Sequence, residues 1–246
     1  MNRSIDTVSR KPHAVLDVVS RRQKGLKIER LLDLGGRGQP IRMLEIGTGS
    51  GGIAHYFATH ETLQCHVDAV DVHDNRQVAD GYDFHIVTDT GLPFASETFD
   101  VVLSNHVIEH VGERAAQIEH LRELRRVLKS DGVGYLAVPN RWMLVEPHYR
   151  LAFLSWLPRS LRSSYLRAMK RGEVYDCEPL TLPELDDLLK HAKLRFEHIE
   201  IQALREVFAI EGANTWMARL AQAMPSGLLT PLRGIVPTLI CRLGRS

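Results

Sequence analysis

Strand-like and helix-like patterns alternate along most of this chain, which limits the folds open to it more than any other feature. Likeness to strands is carried by short, β-branched, apolar runs at Arg42–Ile46, His66–Val72, Asp83–Thr88, Phe99–Ser104, Val133–Val138, Phe196–Ile201 and Pro237–Leu243. Helical spacing lies between most of them, as in Arg114–Leu128 and Leu182–His191, and a further helical pattern fills about residues 10–35 before Gly35–Pro40 ends it. Strands that alternate with helices predict an α/β fold: a mainly parallel sheet with helices on both faces. Ligands of such sheets bind beyond the carboxyl ends of the strands, so chemistry is sought just after each strand.

The first strand runs into Glu45-Ile46-Gly47-Thr48-Gly49-Ser50-Gly51-Gly52, which opens a helix. Glycines at such a turn let a ligand approach the backbone, and the helix N-terminus offers free N–H groups. Gly47, Gly49 and Gly52 also satisfy the dinucleotide pattern G-x-G-x-x-G, so the loop alone fits two cofactor classes. Glu45 tilts the choice. A carboxylate there gives nothing to a pyrophosphate, but it can accept hydrogen bonds from water or from the ammonium of a bound amino acid. Asp71 ends the second strand, where either cofactor class has its ribose diol held.

The decisive run lies downstream. It comprises Val87-Thr88-Asp89-Thr90-Gly91-Leu92-Pro93-Phe94, then Phe99-Asp100-Val101-Val102 leading to Asn105-His106-Val107-Ile108-Glu109-His110-Val111, then Arg126-Val127-Leu128-Lys129 and Val138-Pro139-Asn140. With these ordered motifs the chain resembles the class I S-adenosylmethionine-dependent methyltransferases related to those of ubiquinone and menaquinone biosynthesis. The likeness is strong over about residues 20–140 and looser over 180–243. It implies a Rossmann-like, seven-stranded, mostly parallel sheet and S-adenosylmethionine as cofactor. It also implies that Glu45, Gly47, Gly49 and Gly51 line the methionine part, and that Asp71 binds the ribose. Asp89 and the Thr90 backbone would meet the adenine, and Asn105 would lie beside the reacting methyl. Leu92 and Phe94 either flank the adenine or belong to the core.

Methyl transfer to a hydroxyl needs a proton acceptor near neutral pKa, and the candidate catalytic residues are His106, His148 and His110, with Tyr149 supporting. His106, Glu109 and His110 stand at i, i+3 and i+4, a spacing that shares one helical face. Some quinone O-methyltransferases bind a divalent metal at similar positions. Here His106 replaces a carboxylate; a His-Glu-His set could bind zinc or manganese, though Mg²⁺ prefers oxygen ligands, and the favoured reading is that Glu109 and His110 structure the turn with no metal.

Between the fifth and sixth strands, residues about 141–180 differ in composition. Arg141, Arg150, Arg159, Arg162, Arg167, Lys170 and Arg171 face only Glu146 before Gly172, with Trp142, Tyr149, Phe153, Trp156 and Tyr165 among them. A helical lid that meets a small-molecule, glycan or lipid-linked acceptor, anionic and methylated at oxygen, is the expectation. Leu151–Leu161 also mixes aromatic and apolar residues with arginines as membrane-surface helices do, so peripheral membrane contact through the lid is a second reading.

Over 246 residues the net charge is only +1, and with the basic residues confined to one insertion no nucleic-acid partner is expected. The chain reads as a single domain. Three cysteines without metal spacing, no apolar leader and no run near the roughly 18 apolar residues of a membrane span point to the cytoplasm. Two alternatives remain at this level: a nicotinamide-dependent oxidoreductase, and a cofactor-binding partner subunit without catalysis. Oligomeric state is not legible.

Overall fold

The central strand β1 (Ile41–Ile46) is buried at five of its six positions, as a strand covered on both faces must be. The structure, a computed structural model, describes residues 18–38, 40–146, 149–175, 177–212, 219 and 223–246. Beside β1 lie β2 (Cys65–Asp71), β3 (Asp83–Ile86), β4 (Phe99–Asn105) and β5 (Leu128–Pro139), all parallel. A separate two-stranded ribbon, β6 (Val145–Glu146) and β7 (Leu151–Ala152), belongs to the insertion. The sheet is completed by β8 (Leu194–His198) and β9 (Thr238–Arg245), in the order β3-β2-β1-β4-β5-β9-β8. β9 is antiparallel to both neighbours, so β8 again runs with the first five. The strand order reverses between β1 and β4, and that crevice is where ligands of such sheets bind.

Alternate side chains of the strands feed two cores. On one face Met43, Val67, Ala69, Val101, Leu103 and Tyr135 meet α1 (Val18–Leu32), α2 (Gly52–Ala58) and α6 (Glu200–Ile210). On the other, Leu44, Ile46, Val70, Val102, Leu136 and Val138 meet α3 (Arg114–Val127) and α5 (Leu182–His191). α5 has the expected bounds because its start is encoded twice over. Thr181 and Glu184 form a reciprocal capping box, and Leu185, Leu188 and Leu189 share the buried face.

Several expectations are revised. The first helix is described from residue 18, with the earlier part of the 10–35 segment outside the described residues, and it stops at Leu32 where Asp33 adopts φ 52°. The strand expected over Phe196–Ile201 ends at His198. Ile199 leaves the extended region, and its carbonyl accepts from Ala203 N, so Glu200 and Ile201 open α6 instead. No helix joins β2 to β3: residues 72–82 form a loop whose Gln77 and Val78 amides donate to Ser50 O. The insertion is only partly helical. The ribbon β6–β7 and a 3-10 turn (Leu154–Trp156) precede α4 (Arg159–Ala168), so Leu151–Leu161 is not a surface helix. A short helix, α7 (Ser226–Leu229), and a 3-10 segment lead into β9. No helix among the described residues is long and apolar enough to cross a membrane.

At the far edge of the sheet a polar clamp joins four elements. His198 bonds Glu200 and Asp186 at 2.9 and 2.8 Å, with Cys241 Sγ at 3.5 Å. The Cys241 and Glu200 contacts push its pKa up to about 11 against the penalty of burial.

Candidate functional site

Glu45, the glycine loop, Asp71, Asp89, Asn105, His106 and Glu109 collect at the carboxyl ends of β1, β2, β3 and β4. Glu45, the fifth residue of β1, is buried, and its Oε2 accepts from Thr48 Oγ1 at 2.7 Å and Ala54 N at 2.9 Å. It therefore ties both ends of the glycine loop to the strand. Burial pushes its carboxyl up to about 7, against the Thr48 hydrogen bond, the charge of Arg21 and the Ala54 amide.

The three glycines have different neighbours. A Cβ on Gly47 would lie 2.4 Å from Val107 Cγ2, because the turn after β4 packs directly on the loop. At Gly51, φ is 81° and a Cβ would meet Val78 O at 2.1 Å and the Tyr82 hydroxyl at 2.2 Å. Gly49 also has positive φ, 54°, but a Cβ there would meet nothing within 4 Å. Gly47 and Gly51 are thus closed off by protein, and Gly49 faces open space that a ligand can enter.

Asp71, at the tip of β2, accepts from Gly49 N at 2.8 Å through one oxygen and from Val72 N at 2.7 Å through the other. His73 N donates to the same oxygen as Val72 N at 3.4 Å, so of the about four acceptor positions of a carboxylate about one remains for a hydroxyl donor. Val87 N donates to Asp71 O, which brings the segment carrying Asp89 and Thr90 alongside. Asp89 is exposed and accepts from Gly91 N at 2.8 Å. Leu92 is buried in the core, and Phe94 packs edge-on to Phe99 and His85, so Phe94 is engaged in packing. Arg126 explains part of the downstream motif: it donates to Phe94 O and Leu92 O while pairing Glu123, pinning this loop to α3.

Asn105 and His106 end β4, one step beyond the Ile46–Ser104 register pair and so beside Gly47. Residues 106–110 form a turn rather than a helix, with His106 at φ 59°. His106 Nδ1 nonetheless lies 3.3 Å from Glu109 Oε1, and the Glu109 side chain is fully buried. Burial alone would raise the Glu109 carboxyl. The His106 contact and the charges of His106 and His110 outweigh it and hold the group below the usual carboxylate range. Behind it, His120 Nε2 meets Ser104 Oγ at 2.9 Å, and burial pushes that ring down to about 4, so it is neutral.

Of the remaining sequence candidates, His148 lies outside the described residues. Tyr149 sits within the insertion, where its N–H bonds Glu146, its hydroxyl donates to Val174 O and its ring packs near Tyr175. Three of the insertion's arginines are committed inside the protein: Arg141 to Glu184, and Arg159 and Arg162 to Glu178. The basic excess that suggested an anionic acceptor is smaller than it looked.

Sequence reasoning missed one element of the site, α1. Its Arg21 packs on the start of α2, where a Cβ on Gly52 would come within 2.7 Å of Arg21 Cβ, and Gly25 lies against the Tyr56 ring. One turn on, Lys24 feels both Glu45 and Glu109. Burial, with Lys27 and Arg21, lowers its ammonium to about 8 despite those carboxylates. The spacing of Arg21, Lys24, Gly25 and Ile28 on one face was the available signal. A hollow of about 620 Å³ between Arg42, His66, Asp68 and Asp83 lies at the amino ends of the strands, away from this chemistry.

Residues 44–136 match the methyltransferase-domain family. Residues 44–136 thus form a methyltransferase domain, of the class I, S-adenosylmethionine-dependent kind. This decides between the two cofactors the glycine loop left open. Among curated relatives, the ubiquinone biosynthesis O-methyltransferase of Parvibaculum lavamentivorans is 31% identical over 134 residues, covering 49% of this chain and 50% of that protein. The Rhizobium rhizogenes enzyme of the same name is 30% identical over 156 residues, covering 59% and 60%. The chain thus spans about half to three-fifths of the length of these relatives. In fold it is similar to the plantazolicin methyltransferase BpumL, with TM-score 0.57, 18% identity and coverage of 93% of this chain and 85% of that one. The YcgJ protein of Bacillus subtilis gives TM-score 0.52 at 16% identity, covering 90% and 99%. The residues at the strand tips fit the cofactor. Gly49 leaves room against the backbone, Asp71 keeps an acceptor position for a ribose hydroxyl, and Asp89 suits an amino edge.

Proposed function

We propose that the protein methylates an oxygen of a small-molecule, glycan or lipid-linked acceptor, in the cytoplasm, with S-adenosylmethionine as donor. The observation that carries this reading is the His106–Glu109 pair, set at the end of β4 against the glycine loop. The bound cofactor supplies an electrophilic methyl group. This chain's part is to hold the acceptor in line with it and to take the hydroxyl proton, and positioning is the larger contribution.

His106 Nδ1 lies 3.3 Å from the buried Glu109 carboxylate, and in this reading Nε2 is the ring atom that takes the acceptor's proton. A proton arriving there makes an imidazolium that the adjacent carboxylate stabilises. Glu109 is in this scheme a positioning residue, and Asn105 lies beside the transferred group. Glu45 and the loop amides set the methionine end, with Asp71, Asp89 and Thr90 along the nucleoside. His148 and Tyr149 contribute to the acceptor side from the insertion.

The test is a screen of hydroxylated acceptors with labelled cofactor, followed by His106→Gln, His148→Ala and Tyr149→Phe on the best acceptor. His106→Gln is expected to lower kcat about 100-fold while S-adenosylhomocysteine affinity, measured calorimetrically, stays within about threefold. Full turnover by His106→Gln would remove the base from this mechanism. Turnover only with amine acceptors would overturn the oxygen assignment.

A further inference from the structure

The insertion exposes an apolar surface that methyl transfer does not require. Trp142, Leu144, Val145, Phe153 and Trp156 are all between 41% and 55% exposed. They form one patch although they come from two segments. The Trp156 ring meets Trp142 edge-on at 5.4 Å and Phe153 at 5.2 Å. Phe153 N donates to Leu144 O, and Val145 pairs with Ala152 across the ribbon.

The patch is held from behind. Trp156 Nε1 donates to Met143 O at 2.9 Å, so the indole's polar edge is satisfied inward. Ser155 Oγ donates to Arg141 O, and buried Arg162 donates to Ser155 O and Leu157 O. Leu151 and Leu154 turn inward onto Leu166, so the ribbon's apolar residues are divided between a small core and the outer face. Phe153 is kept outward in the left-handed region, φ 56°, a conformation that aromatic residues rarely adopt.

The exposed charge of the insertion is mostly positive, with Glu173 the exposed acidic residue among its described residues. Arg150, Arg167, Lys170 and Arg171 are exposed on the same insertion, whereas Arg141, Arg159 and Arg162 are paired internally. No acidic side chain is exposed among residues 141–146 or 149–172. Tryptophan and phenylalanine fringed by arginine and lysine complement the interface of a negatively charged bilayer. A second copy of the chain fits worse, because a two-fold contact would set these cations against each other.

We propose that the face formed by Trp142, Leu144, Val145, Phe153 and Trp156 docks the protein on an anionic lipid surface. The rings would enter the headgroup region while Arg150, Lys170 and Arg171 meet lipid phosphates. Docking stands independently of the acceptor's identity, since it can be read without turnover.

Co-sedimentation of the full chain with phosphatidylcholine vesicles, with and without phosphatidylglycerol, tests this. Binding is expected only with phosphatidylglycerol and should weaken as salt is raised. Phe153→Asn is the key variant, because asparagine tolerates the left-handed region and the fold should keep its melting temperature. It should weaken vesicle binding roughly tenfold, the effect of losing one buried aromatic side chain. In a Trp216→Phe background, brominated lipids should quench the fluorescence of Trp142 and Trp156. Failure to bind either vesicle would overturn the proposal, as would binding that Phe153→Asn leaves unchanged. A concentration-dependent dimer that Phe153→Asn dissociates, with no vesicle binding, would assign the face to a second copy instead.

Discussion

The tips of β1 to β4 and the insertion after β5 are built on opposite plans. At the strand tips, the glycine loop is bonded to carboxylates fixed in the sheet: Glu45 grips the Thr48 hydroxyl and the Ala54 amide, and Asp71 grips the Gly49 amide. The insertion has a core of its own around Leu151, Leu154 and Leu166. It is tied to the body at few points, among them the Asn140–Leu180 bridge, the Arg141–Glu184 pair and Glu178 N to Glu109 O. The first plan suits an invariant partner whose shape can be built in advance. The second suits a segment that can open and be altered without disturbing the sheet.

The comparison breaks first at Gly51. Gly51→Ala forces an alanine to φ 81° and sets its Cβ against Val78 O, so a loss of about 4 kcal/mol in urea unfolding is expected, together with loss of cofactor binding. Glu45→Gln tests the buried carboxylate. Because its folded pKa, about 7, is raised above the ordinary 4.5, its contribution is fully present below pH 4.5 and lost as pH rises through 7. Unfolding curves across that window should show the wild type losing on the order of 3 kcal/mol relative to the variant. Cofactor affinity should fall in the variant all the same.

Leu166→Ala sharpens the contrast. It should cost about 2 to 3 kcal/mol, confined to the insertion. Amide exchange is then expected to rise across 149–175 while S-adenosylhomocysteine affinity holds. Equal loss of protection in β1 and β4 would show the two regions to be one unit. Smallest in stability is Gly49→Ala, about 1 kcal/mol, since its methyl meets no protein atom. Its effect belongs in calorimetry, as a loss of affinity of roughly tenfold or more.

How much was legible in the sequence follows from which contacts are local. β1 and β4 carry mostly buried apolar runs, β2 mixes apolar with polar residues, and α5 carries its own capping box, so each lies within a residue or so of expectation. Phe196–Ile201 misled because Glu200 is drawn inward by His198 and by the distant Ile240 N, and so begins a helix. The glycine loop was visible as a motif, but its division into Gly49 on the open side and Gly47 and Gly51 against protein depends on Val107, Val78 and Tyr82. Lys24 lay hidden for the same reason: it reaches Glu45 and Glu109 only through the packing of α1 on α2. The outer face of the insertion was visible as composition, and its true shape needed the turn at Phe153.

The placement of β9 has a consequence for how the chain is made. β9 lies between β5 and β8, so the two strands it joins cannot pair with anything on that side until residues 238–245 have been synthesised. While synthesis is in progress, β5 is an open apolar edge and β8 has no place in the sheet, although the glycine loop and its strands are already complete. A nascent chain would therefore be able to assemble its cofactor end early yet stay prone to aggregation until its last strand threads in. Slow, non-local closure of this kind puts the rate-limiting step of folding at the edge of the molecule farthest from β3.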